Sequence, residues 1–297
     1  MGHTGTLDSF AEGLLVVCVG PLTRLVSHIT AFDKVYEAII AFGTETDTLD
    51  PLGTIIKTAE KPKVWDFEKA LQTFTGSLMQ SPPSYSAIHV NGKRASDLAR
   101  SGKDFSIPQR PITVYSATII DMFLENDLVS YAHVKFSVSK GTYVRCLARD
   151  IGYACGSVAH LIGLKRTQVG SFSLENAVGF DLLESFSISS VIKREYSDKT
   201  LPRDTEKEAV LEAEVIQKCI SMTPLLAREC GFNPLNPDYI SDFFNGKPLT
   251  PLFFLTEIPL HGAVAVFTEK NQFAGLIEKT SKRLQYVYVI PKDIALA

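Results

Sequence analysis

The sequence has no apolar run long enough to cross a bilayer. The longest one near its start covers residues 14–19, whereas a membrane-spanning helix needs about 20 consecutive apolar residues. It also has no basic segment followed by an apolar stretch of the kind that directs secretion. These two absences lead us to expect a cytoplasmic protein.

Cysteine is scarce and irregularly spaced. The five cysteines form no Cys-x-x-Cys pair, and the two closest, Cys146 and Cys155, are nine positions apart. This spacing argues against a zinc knuckle and against a disulfide framework. We expect five reduced thiols, most of them packed inside the protein.

Positive charge is not in excess, but it is unevenly distributed. The formal net charge is −3 and the sequence pI is about 6.1, which argues weakly against a nucleic-acid partner. Residues 89–110 nevertheless hold five basic against two acidic residues, and residues 140–166 hold five against one. Residues 181–217 reverse this balance, with nine acidic and five basic residues. Such segregation is typical of a protein with one anion-facing side, although either basic stretch alone would also fit an ordinary solvated face.

The clearest local pattern lies between residues 129 and 152. Apolar and polar residues alternate over 132–138, which predicts a strand with one buried face. Ser139-Lys140-Gly141 ends it, and Thr142 is placed to cap a following helix through its side-chain oxygen. The apolar face of that helix comprises Val144, Leu147, Ala148 and Ile151, with Arg145 and Arg149 on another flank.

The rest of the chain divides by composition. A helix is predicted over residues 66–74 and a strand around 39–44. Residues 187–214 are polar and without clear periodicity, as in a linker, and two β-rich runs, 262–267 and 285–290, follow in the tail. With 45% hydrophobic residues over 297 positions, the chain can form two domains, or one large domain with a small appendage, and it shows no internal repeat.

The first residues carry the most informative motif. Gly2-His3-Thr4-Gly5-Thr6-Leu7-Asp8 is a glycine-punctuated loop that ends in a carboxylate. It resembles the catalytic motif of the TruB family of pseudouridine synthases, in which the aspartate attacks the target nucleoside. Further segments resemble the other family motifs in the same order: Asp33-Lys34-Val35-Tyr36-Glu37, Thr46-Asp47-Thr48 with Asp50 and Gly53, Ser81-Pro82-Pro83-Ser84-Tyr85-Ser86-Ala87, Asn91-Gly92-Lys93-Arg94 with Arg110-Pro111, Ser139 to Arg145, and Ala159 to Thr167. Together they span roughly 180 residues, which makes coincidence a poor explanation.

The resemblance implies a fold and a domain organisation. The fold is α/β (α+β), with a mixed, mainly antiparallel sheet and flanking helices, plus a small β-rich C-terminal domain. We expect a catalytic domain over 1–186 with an RNA-facing insertion at about 80–110, a connecting segment over 187–221, and a small PUA-like RNA-binding domain over 222–297.

The resemblance also implies an activity. It is the isomerisation of uridine 55 in the T-loop of tRNA to pseudouridine, by a cytoplasmic, monomeric enzyme with no obligatory protein partner, no membrane association, no metal and no cofactor. Asp8 would be the nucleophile and Arg145 the ion-pair partner that keeps its carboxylate charged in a sealed pocket. The residues that would contact the flipped uridine are His3, Tyr36, Tyr143 and Leu164. Candidate RNA contacts are Lys93, Arg94, Arg110, Lys140 and Arg166.

Each of these residues also has a plainer interpretation. Asp8 alone could be a loop carboxylate that caps a helix, and His3 an exposed terminal side chain. Tyr36, Tyr143 and Leu164 would by default be core residues, and Arg145 a solvated helix flank. The series of ordered motifs favours the functional interpretation.

The sequence departs from the family pattern in a few places. In the family a few dozen residues with an opening strand precede the catalytic loop, whereas here the motif begins at Gly2. Ser9, His89 and Ser96 stand where the family commonly has proline, lysine and tyrosine. The alternatives are a catalytically impaired tRNA-binding or tRNA-folding protein, a guide-dependent synthase that works with partner proteins, and, remotely, an unrelated hydrolase that uses aspartate.

Overall fold

A computed structural model describes most of the chain. The described residues are 1–90, 92–102, 105–196, 204–235, 237, 240–250, 253–254, 258, 262–281 and 283–295, with the backbone alone at 294 and 295. Asn91 of the Asn91-Gly92-Lys93-Arg94 segment, which the sequence predicts to be a turn, lies outside them. None of the helices in these ranges has the length and apolarity needed to span a membrane.

The strands and helices are listed in chain order. The strands are β1 (Gly2–His3), β2 (Glu12–Gly13), β3 (Val17–Cys18), β4 (Lys34–Phe42), β5 (Thr44–Thr46), β6 (Ile55–Thr58), β7 (Gly76–Gln80), β8 (His89–Val90), β9 (Lys93–Arg94), β10 (Arg110–Glu125), β11 (Leu128–Val138), β12 (Ala159–Val169), β13 (Phe172–Ser173), β14 (Asn233–Leu235), β15 (Gly262–Phe267), β16 (Phe273–Lys279) and β17 (Leu284–Val289). The α-helices are α1 (Val26–Thr30), α2 (Val64–Thr73), α3 (Ala95–Arg100), α4 (Val144–Ala154), α5 (Ile188–Ile192), α6 (Thr205–Lys218), α7 (Pro224–Glu229), α8 (Ile240–Phe244) and α9 (Lys292–Ala295). Short 3-10 helices cover Gly20–Leu25, Leu174–Asn176 and Phe180–Leu182.

One large sheet organises the larger part of the chain. Its strand order is β13-β12-β4-β11-β10-β7, and β2 pairs with β12. The β2–β12 pairing is parallel, whereas the other pairings in this sheet are antiparallel. The predicted mixed, mainly antiparallel sheet is therefore confirmed.

The centre of this sheet is covered on both faces. On one face, residues of α2 and α4 such as Phe67, Leu147 and Ile151 pack with Ile40. On the other face, Ile39 packs with residues of α5. Neighbouring positions of β4 are therefore buried on opposite sides, and its end is buried without interruption, because a sheet covered on both faces has no solvent-facing side.

Helix α4 follows the predicted apolar pattern but begins differently. Val144, Leu147, Ala148 and Ile151 are buried as expected. The N-cap is Tyr143 without any side-chain cap, so the predicted cap by Thr142 is wrong. The Thr142 hydroxyl instead donates to the Ser139 carbonyl at 2.9 Å and stabilises the preceding turn.

The chain forms two compact units. The larger comprises residues 5–16 and 30–214, and the smaller comprises 1–4, 17–29 and 215–297. The smaller unit has a sheet with strand order β14-β15-β16-β17, and its core includes Phe243, Val264, Val266 and Ile277. A β-rich C-terminal part is thus present, as predicted. The expected domain boundaries, the connecting role of 187–221 and the PUA-like character of the tail stay predictions, and α5 and α6 lie within the expected connection.

Candidate active site

The loop that carries Asp8 is attached to the large sheet through the residues that follow Asp8. Ala11 donates to the Asp8 carbonyl at 3.0 Å, which closes a turn directly after the carboxylate. The chain then enters β2, where Glu12 and Gly13 lie opposite Lys165 and Arg166 of β12. Gly13 has a φ of 110°, and a Cβ there would lie 2.3 Å from the Arg166 carbonyl oxygen, so only glycine permits this approach.

The Arg166 side chain binds both ends of the same loop. Its Nε donates to the Leu14 carbonyl at 2.7 Å and its Nη2 donates to the Gly5 carbonyl at 3.1 Å. Arg166 is only 2% exposed. This position corrects the expectation that Arg166 contacts RNA, because a guanidinium committed to two backbone carbonyls inside the protein does not face a nucleic acid.

Three charged side chains anchor the end of the loop at Glu12. The Glu12 carboxylate lies 3.0 Å from the Lys165 ammonium and 2.9 Å from the Arg194 guanidinium. Both cations also lie over the ring of Phe186, at 5.0 and 5.6 Å from its centroid. Because these groups are largely removed from solvent, they restrain the segment more than a surface ion pair would.

The Arg145 guanidinium lies against the Asp8 carboxylate, the contact that the sequence comparison led us to expect. Nη2 donates to Oδ1 at 3.1 Å, and Nε lies 2.9 Å from Oδ2 without the alignment of a hydrogen bond. The Asp8 side chain is 35% exposed and Arg145 only 5%. The carboxylate is therefore reachable from solvent on one side and held by a buried cation on the other. The sequence predicted Arg145 on a flank of α4 beside Arg149, but its side chain is more buried than such a position implies.

Two further loops converge on Arg145. Its Nη1 donates to the Thr48 carbonyl at 2.8 Å and lies 3.4 Å from Asp50 Oδ2, while Nη2 also donates to the Tyr85 carbonyl at 3.2 Å. Sequence reasoning gave Asp50 no role in the site, although it stands in the motif from Thr46 to Gly53 and lies against Arg145. The two carboxylates of Asp8 and Asp50 share one guanidinium, which balances part of their charge.

The loop that supplies Asp50 is built for this geometry. Asp50 Oδ1 accepts from the Thr48 hydroxyl at 2.7 Å and from the Leu52 amide at 3.0 Å. Leu49 has a φ of 62°, a left-handed conformation that costs energy for a bulky side chain, and it is buried. A Cβ at Gly53 would lie 2.2 Å from the Thr48 hydroxyl oxygen, so glycine is required there. These constraints direct the Thr48 carbonyl and the Asp50 carboxylate towards Arg145.

Tyr36 lies directly opposite Arg166 on the β4–β12 ladder. Burial raises the pKa of its hydroxyl, the Arg166 guanidinium that hydrogen-bonds it lowers that pKa, and the neighbouring Asp8 carboxylate raises it further. The hydroxyl therefore stays protonated at neutral pH. Tyr36 packs partly buried against the main core, and Leu164, two residues before Arg166, belongs to that core with 5% exposure.

The other predicted pocket residues occupy different places. Tyr143 is half-buried at the start of α4, two residues before Arg145, and the Arg110 guanidinium lies 4.7 Å from its ring centroid. His3 is exposed in β1, which pairs with β3 in the smaller unit. The structure brings Asp8, Arg145 and Tyr36 together, and the role of His3 stays a prediction.

The remaining candidate RNA contacts differ in exposure. Lys93, Arg94 and Lys140 are exposed, the first two in the short β8–β9 hairpin and the third in the turn before α4. Arg110 is half-buried and donates to the Gly141 carbonyl. Among the residues that the structure describes, no cluster of three His, Cys, Asp or Glu side chains could hold a metal ion.

Comparisons with known proteins identify the family. The model of the TruB family pseudouridylate synthase N-terminal domain matches residues 1–144, and that of the tRNA pseudouridylate synthase B C-terminal domain matches residues 145–204. A tRNA pseudouridine synthase B of Treponema denticola is 39% identical over 277 residues, which are 86% of this chain and 78% of the relative. The enzyme of the same name from Borreliella burgdorferi is 45% identical over 196 residues, 66% of this chain and 67% of the relative.

Solved structures agree on the fold. A structure of the archaeal box H/ACA sRNP Nop10–Cbf5 complex contains a chain with a TM-score of 0.62 at 18% identity, covering 99% of this chain and 78% of that one. A Cbf5–Nop10–Gar1 complex gives a TM-score of 0.59 at 20% identity, with the same coverage. The two family models together match more than half of the sequence, and the relatives match it at 39% and 45% identity. The chain therefore belongs to the TruB family of pseudouridylate synthases.

Proposed function

We propose that this chain isomerises uridine to pseudouridine in tRNA, at position 55 of the T-loop, with Asp8 as the nucleophile. The observation that carries the proposal is the half-exposed Asp8 carboxylate held by the buried Arg145 guanidinium in a chain of this family. The relatives named above act on tRNA according to their names. We extend the proposal to a monomeric, cytoplasmic enzyme that needs no protein partner or cofactor.

The chemistry asks for a charged carboxylate beside the nucleoside. Asp8 attacks either the uracil ring or the anomeric carbon of the ribose, and both routes end with the base attached through carbon instead of nitrogen. The glycosidic carbon–nitrogen bond breaks, a carbon–carbon bond forms, and the hydrogen on the newly bonded ring carbon leaves as a proton while the freed nitrogen gains one. The reaction is redox-neutral, and the side chains supply its nucleophile.

Arg145 would serve this step by keeping Asp8 charged and oriented. A guanidinium is permanently protonated and offers a planar set of donors, so it favours the ionised carboxylate without competing for its proton. Its four partners fix it, because Asp50 and the carbonyls of Thr48 and Tyr85 occupy the donors that Asp8 leaves. The nucleophile is thereby held before substrate arrives, which reduces the entropic cost of reaching the reactive geometry.

The target base must leave its stack before Asp8 can reach it. Tyr36, Tyr143 and Leu164 would receive it, the rings by stacking and the leucine by apolar contact. Lys93, Arg94 and Lys140 are exposed and free to face RNA phosphates. A phosphate contact predicts binding that weakens with added salt.

The direct test is tritium release from T-arm RNA labelled at the ring carbon of uridine that loses its hydrogen. We expect the purified chain to release tritium stoichiometrically with the target uridine. The same RNA with cytidine at that position should release none. Tight binding of the T-arm RNA without any release would contradict the proposal and support a protein that only binds and folds tRNA.

The hydrogen bonds of Arg166 to the loop that carries Asp8 predict a second effect in the same assay. Arg166→Met would leave the Gly5 and Leu14 carbonyls and the Tyr36 hydroxyl without their donor. We therefore expect about 10- to 100-fold slower single-turnover isomerisation through misplacement of Asp8 and Tyr36. The free energy of unfolding should fall by about 1–3 kcal/mol, measured by denaturant titration. Arg166→Lys, which keeps the charge but cannot bind both carbonyls, should lie between. Lys135→Met, at an exposed lysine of β11, serves as the control, and equal rates for all three variants would refute this role of Arg166.

A further inference from the structure

Gln80 is a buried glutamine with an unusual partner. It is the last residue of β7 and only 2% exposed. Glutamine is seldom so buried, since its amide must find hydrogen-bond partners inside the protein. Both of its polar atoms reach the backbone of the same residue, Tyr143.

The two hydrogen bonds form a closed pair. The Tyr143 amide donates to Gln80 Oε1 at 2.8 Å, and Gln80 Nε2 donates to the Tyr143 carbonyl at 3.0 Å. A backbone amide can only donate and a carbonyl can only accept, so this pairing also fixes which end of the side-chain amide is oxygen. The Gln80 side chain therefore makes the same pair of hydrogen bonds with the Tyr143 backbone that a neighbouring β-strand would make.

The same rung of the sheet also holds the Tyr143 ring. Gln80 lies directly opposite Arg110 in the β7–β10 pairing. The Arg110 guanidinium lies 4.7 Å from the Tyr143 ring centroid and donates to the Gly141 carbonyl, two residues earlier. One pair of cross-strand neighbours thus fixes the backbone of Tyr143 and one side of its ring.

Tyr143 needs this support because of its position. It is the N-cap of α4, with an extended backbone and no side-chain cap, so its amide has no partner within the helix. Arg145, which contacts Asp8, follows in the first turn. A shift of Tyr143 would therefore be passed to both the ring and the guanidinium.

From this geometry we infer that Gln80 is a positioning residue for isomerisation, acting through Tyr143 rather than by touching the substrate. The inference rests on the proposed function, since it assigns Tyr143 to the uridine pocket. Loss of the Gln80 side chain lowers the rate of the chemical step more than it lowers the affinity for RNA. A residue that aligns the pocket contributes little to phosphate contacts.

The test compares Gln80→Met with wild type in single-turnover isomerisation of T-arm RNA. We expect a rate about 10- to 100-fold lower and a dissociation constant for the RNA within about threefold of wild type. Gln80→Glu, which keeps the length and the acceptor for the Tyr143 amide, should lie between and provides the measurement if the methionine variant folds poorly. The exposed Gln168 supplies the control, since Gln168→Met should leave the rate unchanged.

A double-mutant cycle separates positioning from general stability. In a Tyr143→Ala background, Gln80→Met should cost clearly less than it does in wild type, because the ring that Gln80 places is gone and only the backbone path to Arg145 remains. If the losses caused by Tyr143→Ala and Gln80→Met simply multiplied in the double variant, the inference would be overturned. Wild-type rates for both Gln80 variants would also overturn it.

Amide hydrogen exchange gives a readout that needs no substrate. Protection of the Tyr143 amide should be lost in Gln80→Met and retained in Gln80→Glu, and protection unchanged in the methionine variant would overturn the inference. Failure of the proposed function is distinguishable, since wild type itself would then release no tritium.

Discussion

Replacing Asp8 with asparagine should abolish pseudouridine formation while leaving RNA binding intact. The amide keeps the size of the carboxylate and can still accept from Arg145, but it is not a nucleophile. We expect single-turnover rates at least about 10⁴-fold below wild type, the scale seen when a covalent nucleophile is removed. The measurement is tritium release from T-arm RNA, with binding followed separately by filter retention.

The matched control is an aspartate remote from the site. Asp121 is exposed on β10 and accepts from the Met122 amide at 2.9 Å, so Asp121→Asn should retain the wild-type rate. Substantial activity in Asp8→Asn would show that another group starts the reaction. Such a result would remove the basis of the proposed mechanism, whereas weak RNA binding by this variant would indicate damage to the loop.

The second large effect is expected at Arg145. Arg145→Met would leave the carboxylates of Asp8 and Asp50 without the cation between them, so we expect a rate at least about 10³-fold lower. Because a partly buried charge pair is broken, the free energy of unfolding should fall by about 3 kcal/mol. Arg145→Lys keeps the charge but lacks the planar guanidinium that reaches four partners. We expect its rate to be about 100-fold below wild type. Single-turnover kinetics and denaturant titration measure the two effects.

Arg149 provides the comparison for these variants. It lies one turn further along α4, where its Nε donates to Asp150 Oδ1 at 2.7 Å, and it does not contact Asp8. We expect Arg149→Lys to change the rate by less than about threefold. If Arg145→Lys were as active as Arg149→Lys, the charge alone would suffice and the orientation of Asp8 by the guanidinium would be disproved.

Periodicity predicted those elements whose burial depends on one face. Helix α4 buries Val144, Leu147, Ala148 and Ile151 because an amphipathic helix must turn its apolar stripe to the sheet. The same pattern failed for Arg145, since its charge suggested a solvated flank. Burial of an arginine depends on acceptors from distant loops, and no local spacing reports them.

The contact between Asp8 and Arg145 was predictable from the sequence, but the groups that support it were not. The ordered motifs pointed to Asp8 and Arg145. The contributions of Asp50, Gln80 and Arg166 depend on tertiary structure. Asp50 follows a left-handed Leu49, Gln80 lies where the end of β7 meets the start of α4, and Arg166 lies in the parallel pairing of β12 with β2. Each is a long-range arrangement whose cause lies in the packing of the whole sheet.

The distance along the chain between Asp8 and Arg145 has a consequence for synthesis in the cell. The two residues are separated by 137 positions, and Gly5 and Arg166 by 161. At about 5–20 residues per second, a ribosome needs roughly 7–30 s between making Asp8 and making Arg145. For that interval the nascent chain carries Asp8 without Arg145, and the Gly5 carbonyl waits longer still for Arg166 of β12. Under the proposed mechanism, the chain gains activity only after both arginines have been made.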